Sequence, residues 1–198
     1  SVELKDYQNY DSLPLYLFQG EENNFGLEFF SDGKSIRTNE LYFDIAQGAE
    51  KIVVTTSPQS LVMQLKVDDF GAYIEYKYTM NPNSYLMDFN LKMVGMDAYR
   101  TDNVQLHWEV FSPQHERGRQ NESSYTNLYY RFLEGDIEKF KLRSKQDVQE
   151  ITESTKIQWL AYKQQFFTSV ILSKDKAFEG GYMSSELQDE NSKYIRHF

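Results

Sequence analysis

The sequence predicts an all-β fold, a sandwich of antiparallel sheets with little helix. Three observations carry this. Apolar and polar residues alternate at period two along most of the chain. Aromatic residues make up 16% of the 198 positions, and Tyr and Phe favour pleated, half-buried surfaces. Clusters of Gly, Pro, Asn and Asp interrupt the alternation at short intervals, as the turns between successive strands require.

The elements follow in order. Val2 and Leu4 alternate with polar neighbours from the start. Leu13, Leu15 and Leu17 form the next run, with Pro14 where a strand can begin or lie at an edge. Phe25, Leu27 and Phe29 alternate before the turn signal Ser31-Asp32-Gly33, and Leu41, Phe43 and Ile45 repeat the pattern before Gln47-Gly48. Leu61, Met63, Leu65 and Val67 lead into Asp68-Asp69-Phe70-Gly71. Residues 72–94 read as a hairpin. Ile74, Tyr76 and Tyr78 share a face of one arm, Asn81-Pro82-Asn83-Ser84 turns, and Tyr85, Met87, Phe89, Leu91 and Met93 share a face of the other. Val104, Leu106, Trp108 and Val110 give a further strand. Residues 112–124, SPQHERGRQNESS, read as a solvated loop, and Tyr125–Phe132 as strand.

Residues 143–156 are polar without a strong pattern. The strip WLAYKQQFFTSVIL, residues 159–172, then divides into a strand through Ile157, Trp159 and Ala161, a turn at Lys163-Gln164-Gln165, and a strand from Phe166 to Leu172. The second strand is apolar on both faces, which predicts cover on both and a central place in a layered fold. The polar tail from Ser185 to Arg196 fits strand, helix or frayed end. About ten short strands and no linker composition predict one domain over residues 1–198.

The formal net charge is −9, so the chain lacks the basic footprint of a nucleic-acid binder and the Lys/Arg clusters that attach proteins to anionic lipid. There is no cysteine, which excludes disulfides and thiolate chemistry. No run reaches the ~18 apolar residues of a membrane-spanning helix. The opening, inside a strand and without Met, predicts a chain cut from something longer.

Three histidines bound the acid–base options. His107 and Glu109 lie two apart on one strand face, roughly 7 Å apart on strand geometry. Such a pair could act on a sugar anomeric carbon, and a carbohydrate-binding or aldose-epimerase-like domain is the alternative reading. His115 and Glu116 sit in the charged loop. His197 lies at the chain end and carries no weight. No metal-ligand spacing, phosphate loop or nucleophile elbow occurs, so the expectation is no enzyme, no cofactor and no metal. Tyr7, Tyr10, Tyr73, Tyr125, Tyr129 and Tyr130 could supply contact area in a groove.

The segments SVELKDY at the start, PLYLF, NNFGLEFF, SYLMDFNLKMVGM, PQHERGR and WLAYKQQFFTSVIL, taken in order, resemble the periplasmic domain of the YidC/Oxa/Alb family of bacterial membrane protein insertases. The aromatic strip, with Trp159, Tyr162, Gln165, Phe166 and Phe167, is the most specific piece. The resemblance implies a β-supersandwich of the galactose-mutarotase-like kind on the periplasmic side of the inner membrane, anchored by transmembrane helices outside this chain. It implies an accessory, non-catalytic domain that contacts Sec translocon subunits and nascent membrane proteins, truncated at both ends.

Overall fold

Residues 1–31, 33–99, 102–142 and 148–198 are described by a computed structural model, with Ala98, Asp102 and Asn103 described by their backbone alone. Asp32 of the first turn signal and part of the polar stretch 143–156 lie outside the described residues. Among those described, seventeen strands, two 3₁₀ turns and one short α-helix form the regular structure. The fold class is therefore all-β, as predicted. The chain divides into two compact units, Ser1–Asn24 with Trp108–Phe198, and Phe25–His107.

The first unit opens with a ribbon of β1 (Val2–Gln8) and β2 (Pro14–Phe18). Pro14 begins its strand, where its missing N–H costs no ladder bond. The Asn9 side chain accepts from the Asp11 and Leu13 N–H groups and closes the loop between them.

The second unit contains β3 (Asn24–Ser31) from Phe25 onward, β4 (Lys34–Arg37), β5 (Asp44–Gln47), β6 (Gln59–Lys66), β7 (Tyr73–Met80), β8 (Met87–Val94) and β9 (Asp102–Glu109) as far as His107; Asn24, Trp108 and Glu109 belong to the first unit. They form two sheets, one ordered β4-β3-β9 and one ordered β5-β6-β7-β8. Leu27 and Phe29 from the first sheet meet Ile74 and Tyr76 from the second, so two layers share one core. Burying each such side chain stabilises by about 1.5–3 kcal/mol. The hairpin predicted over 72–94 pairs Tyr73 with Val94 through to Met80 with Met87, and Asn83 takes the positive φ of its turn. Of the predicted 41–45 run only Asp44 and Ile45 are strand, within β5, and a 3₁₀ turn at Thr38–Glu40 precedes it.

The remainder of the first unit contains β10 (Phe111–Pro113), α1 (Arg119–Tyr125), β11 (Asn127–Phe132), β12 (Ile137–Lys139), β13 (Val148–Glu153), β14 (Ile157–Lys163), β15 (Thr168–Leu172), β16 (Gly181–Leu187) and β17 (Tyr194–His197). Two four-stranded sheets result, β10-β17-β16-β13 and β12-β11-β14-β15. Leu128, Tyr130 and Tyr162 of one face Met183 and Ile151 of the other, with Phe198 in the same core. The Tyr162 ring stacks on Phe198 and its hydroxyl donates to the Trp108 carbonyl at 2.8 Å. The polar tail thus holds the end of β16 and most of β17, joined by a turn over 188–193, and β13 forms within the patternless stretch, paired to β16 from Val148–Glu186 to Glu153–Gly181.

Residues 112–124 are not a solvated loop. The stretch ends β10 and forms α1, because its polar groups are spent on backbone. Glu122 is fully buried and accepts from the His115 and Glu116 N–H groups at 3.0–3.1 Å. Arg119 donates to the carbonyls of Ser192, Asp189 and Tyr194.

A candidate interaction face on the aromatic hairpin sheet

The opening half of the aromatic strip is central and the closing half is an edge. β14 lies between β11 and β15, and β15 pairs with β14 from Lys163–Thr168 to Trp159–Leu172. Leu160, Tyr162 and Ile171 alternate toward one face. Trp159, Ala161, Val170 and Leu172 alternate toward the other. The inner face meets the core. The outer face is open: Val170 is 55% exposed, Leu172 51% and Ile137 of β12 60%. The expectation of cover on both faces is therefore wrong for β15. An apolar residue on each face shows only that neither face is fully polar; an edge strand beside an open sheet satisfies the same pattern.

The register arranges this outer face in rows. Ile137, Arg131, Trp159 and Leu172 lie across the four strands in one row, and Lys139, Tyr129, Ala161 and Val170 in the next. Ala161 is 4% exposed because larger neighbours stand above it, so it floors a shallow apolar depression walled by Tyr129, Trp159 and Val170. The third row runs from Lys163 to Thr168. The charged outward residues of these rows are Arg131, Lys139 and Lys163, all cationic on a chain of net charge −9. Lys139 lies over the Tyr129 ring and Lys163 over the Tyr125 ring, which holds both ammonium groups against the face.

The predicted acid–base residues are dispersed. His107 Nδ1 lies 3.8 Å from the Glu28 carboxylate. Glu109 accepts from Asn24 at 2.8 Å and lies 2.8 Å from Nε2 of His197, whose Nδ1 is 3.4 Å from Glu186 and whose ring stacks on Phe111. His197, set aside on sequence, is thus the histidine that Glu109 meets. The link joins residues 88 apart, so no local pattern could reveal it. His115 is buried against the Tyr16 carbonyl, and that burial pushes its pKa down. Glu116 offers its N–H to Glu122, and that carboxyl is raised by burial. Of the tyrosines, Tyr129 lines the depression, Tyr130 is in the core, and Tyr7 packs edge-on against Phe167.

A family model described as the YidC periplasmic domain matches residues 1–197. The chain belongs to the YidC periplasmic domain family. Curated relatives named membrane protein insertase YidC agree with this. The chain is 30% identical to the Bacteroides fragilis protein over 201 residues, covering all of this chain and 30% of that protein. It is 32% identical to the Azobacteroides pseudotrichonymphae protein, covering 94% of this chain and 29% of that one. The Parabacteroides distasonis protein is 30% identical over 92% of this chain and 28% of its own length. The chain thus spans about 30% of the length of these YidC relatives. No solved structure matches it. No helix among the described residues is long and apolar enough to cross a membrane.

Proposed function

We propose that this chain is the accessory periplasmic domain of an inner-membrane protein insertase, anchored by transmembrane helices outside the chain. It works by contact with other proteins and not by catalysis. Its partners are nascent membrane proteins and Sec translocon subunits, and residues 1–198 act as one domain, a reading supported by the family model running through both compact units. The observation that carries the interaction role is the open outer face of the aromatic hairpin sheet. A contiguous apolar face on a soluble unit marks a surface that meets protein or membrane. Its Tyr and Trp supply rigid contact area, and Lys139 on the edge strand β12 and Lys163 in the last row sit at the margin where charge belongs in an interface, while Arg131 stands between Ile137 and Trp159.

Photo-crosslinking in intact cells tests this. A benzophenone side chain replacing Val170 or Ile137 in the full-length insertase is expected to give adducts with membrane proteins in synthesis or with translocon subunits. The same probe at Tyr42, exposed in the second unit, serves as the control. Adducts from Tyr42 equal to those from Val170, or adducts only within the insertase itself, would remove the reading.

A further inference from the structure

We propose that the free edge of β15 accepts an extended protein segment as a fifth, antiparallel strand, and that the face beside it selects the pattern apolar–x–apolar–x–acidic. This rests on the interaction role proposed above and specifies its chemistry.

The hydrogen-bond parity of β15 comes first. Just before the strand, the Gln164 N–H donates to the Phe167 carbonyl at 2.8 Å; just after it, the Ser173 N–H donates to the Gln158 carbonyl at 3.1 Å. In an antiparallel pair, bonded and non-bonded residue pairs alternate. Counting inward from either end makes Ser169 and Ile171 the residues bonded to β14. Thr168, Val170 and Leu172 are the non-bonded ones, so their N–H and C=O groups point outward from the sheet. No backbone or side-chain group among the described residues pairs with them. The same three residues carry their side chains on the open face. Backbone groups and apolar contact therefore present themselves together, as strand addition requires.

Sheet edges are usually guarded by Lys, Pro, bulges or covering loops. β15, with sequence TSVIL, has none of the first two, and its pairing with β14 runs without a register break. An unguarded edge beside an apolar face is a surface built to be paired.

The register then defines the occupant. All pairings in this sheet are antiparallel. A strand added in the same sense places one residue beside Leu172, next to Trp159, and the residue two further on beside Val170, next to Ala161. Both positions border the depression and take apolar side chains. The next outward residue lies beside Thr168, two strand spacings or roughly 10 Å from Lys163, within reach of two extended side chains once the Lys163 ammonium leaves the Tyr125 ring and the Gln164 carbonyl that hold it in the free chain. The charge complement of Lys163 there is a carboxylate. A second copy of β15 does not fit this pattern, since antiparallel self-pairing puts Leu172 beside Thr168. A membrane surface would use the apolar face but leave the backbone edge idle.

The test uses a fluorescein-labelled peptide carrying Val-Thr-Val-Thr-Glu between Gly-Ser flanks, titrated against the chain by anisotropy. Expected results are saturable binding, at least about tenfold weaker binding of a scrambled peptide, and a similar loss with V170P. Proline is tolerated at this outward N–H, so the fold should survive. K163E is expected to reverse the preference to a peptide with Lys in place of Glu. Amide hydrogen exchange on the unsubstituted chain gives an independent reading: Val170 and Leu172 should exchange freely alone and slow at least about tenfold with peptide. Equal binding of the scrambled peptide, V170P binding unchanged, or amides already protected without peptide, as in a self-paired dimer, would each overturn the proposal. So would binding to phosphatidylglycerol vesicles that displaces the peptide equally from the chain and from V170P. Crosslinks from Val170 in cells together with any of these results would leave the interaction role standing and remove strand addition alone.

Discussion

At the scale of single residues, buried or bridging polar groups hold this chain where the period-two pattern is silent. Thr38 Oγ1 accepts from the Leu27 N–H at 2.8 Å and lies 2.6 Å from the Tyr76 hydroxyl, tying two sheets of the second unit through one hydroxyl pair. Asp68 does the same for the β6–β7 turn. Its Oδ1 accepts from the Phe70 and Ala72 N–H groups at 2.8 and 2.9 Å, and its Oδ2 accepts from the Tyr99 hydroxyl. The Tyr99 bond first, then the backbone bonds, hold its pKa below the ordinary aspartate value. A carboxyl lowered in the folded state contributes stability above its unfolded pKa, near 4, and loses it as pH falls through the folded value. Urea unfolding of the chain and of D68N should therefore show a stability gap at pH 7 that narrows as pH drops below about 4. A gap that stays constant or widens in acid would show that Asp68 acts through packing instead.

At the scale of elements, strands with apolar alternation were legible and those stabilised by long-range partners were not. The hairpin of β7 and β8 was readable because Ile74 and Tyr76 must face the same core and the Asn-Pro-Asn-Ser turn announces itself. β14 and β15 were readable as strands, though the open outer face was not, because exposure depends on the missing neighbour and not on the residues of the strand. α1 escaped because its anchors, Glu122 to the 115–116 backbone and Arg119 to the 189–194 backbone, use polar residues that read as solvated. β13 and β16 escaped for want of alternation, and their junction depends on one glycine. Gly180 has φ +146, and a Cβ there would lie 2.5 Å from the Glu153 carbonyl oxygen. G180A should then cost about 1–3 kcal/mol in denaturant unfolding, with the β13–β16 pairing lost first in hydrogen exchange. A neutral G180A would show that the junction can shift without cost.

At the scale of the molecule, two features pull against each other: a net charge of −9, which keeps copies apart, and an apolar face with an unguarded edge, which favours contact. The cations on that face do not offset the exclusion at neutral pH, because the repulsion acts between whole molecules and the face is a small part of each. Lowering the pH toward the isoelectric point near 4.9 removes the repulsion and leaves the apolar face unchanged. Association should therefore rise sharply toward pH 5 and fall again below it, where the chain becomes cationic. The face, and not charge alone, should set its extent. V170K adds a charge at the centre of the edge while moving the isoelectric point little, so light scattering at the pH of each protein's own minimum solubility should show much less association for V170K. Equal association of the two at matched net charge would mean that the copies meet elsewhere, and that the outer face of this sheet is inert unless a partner strand is present.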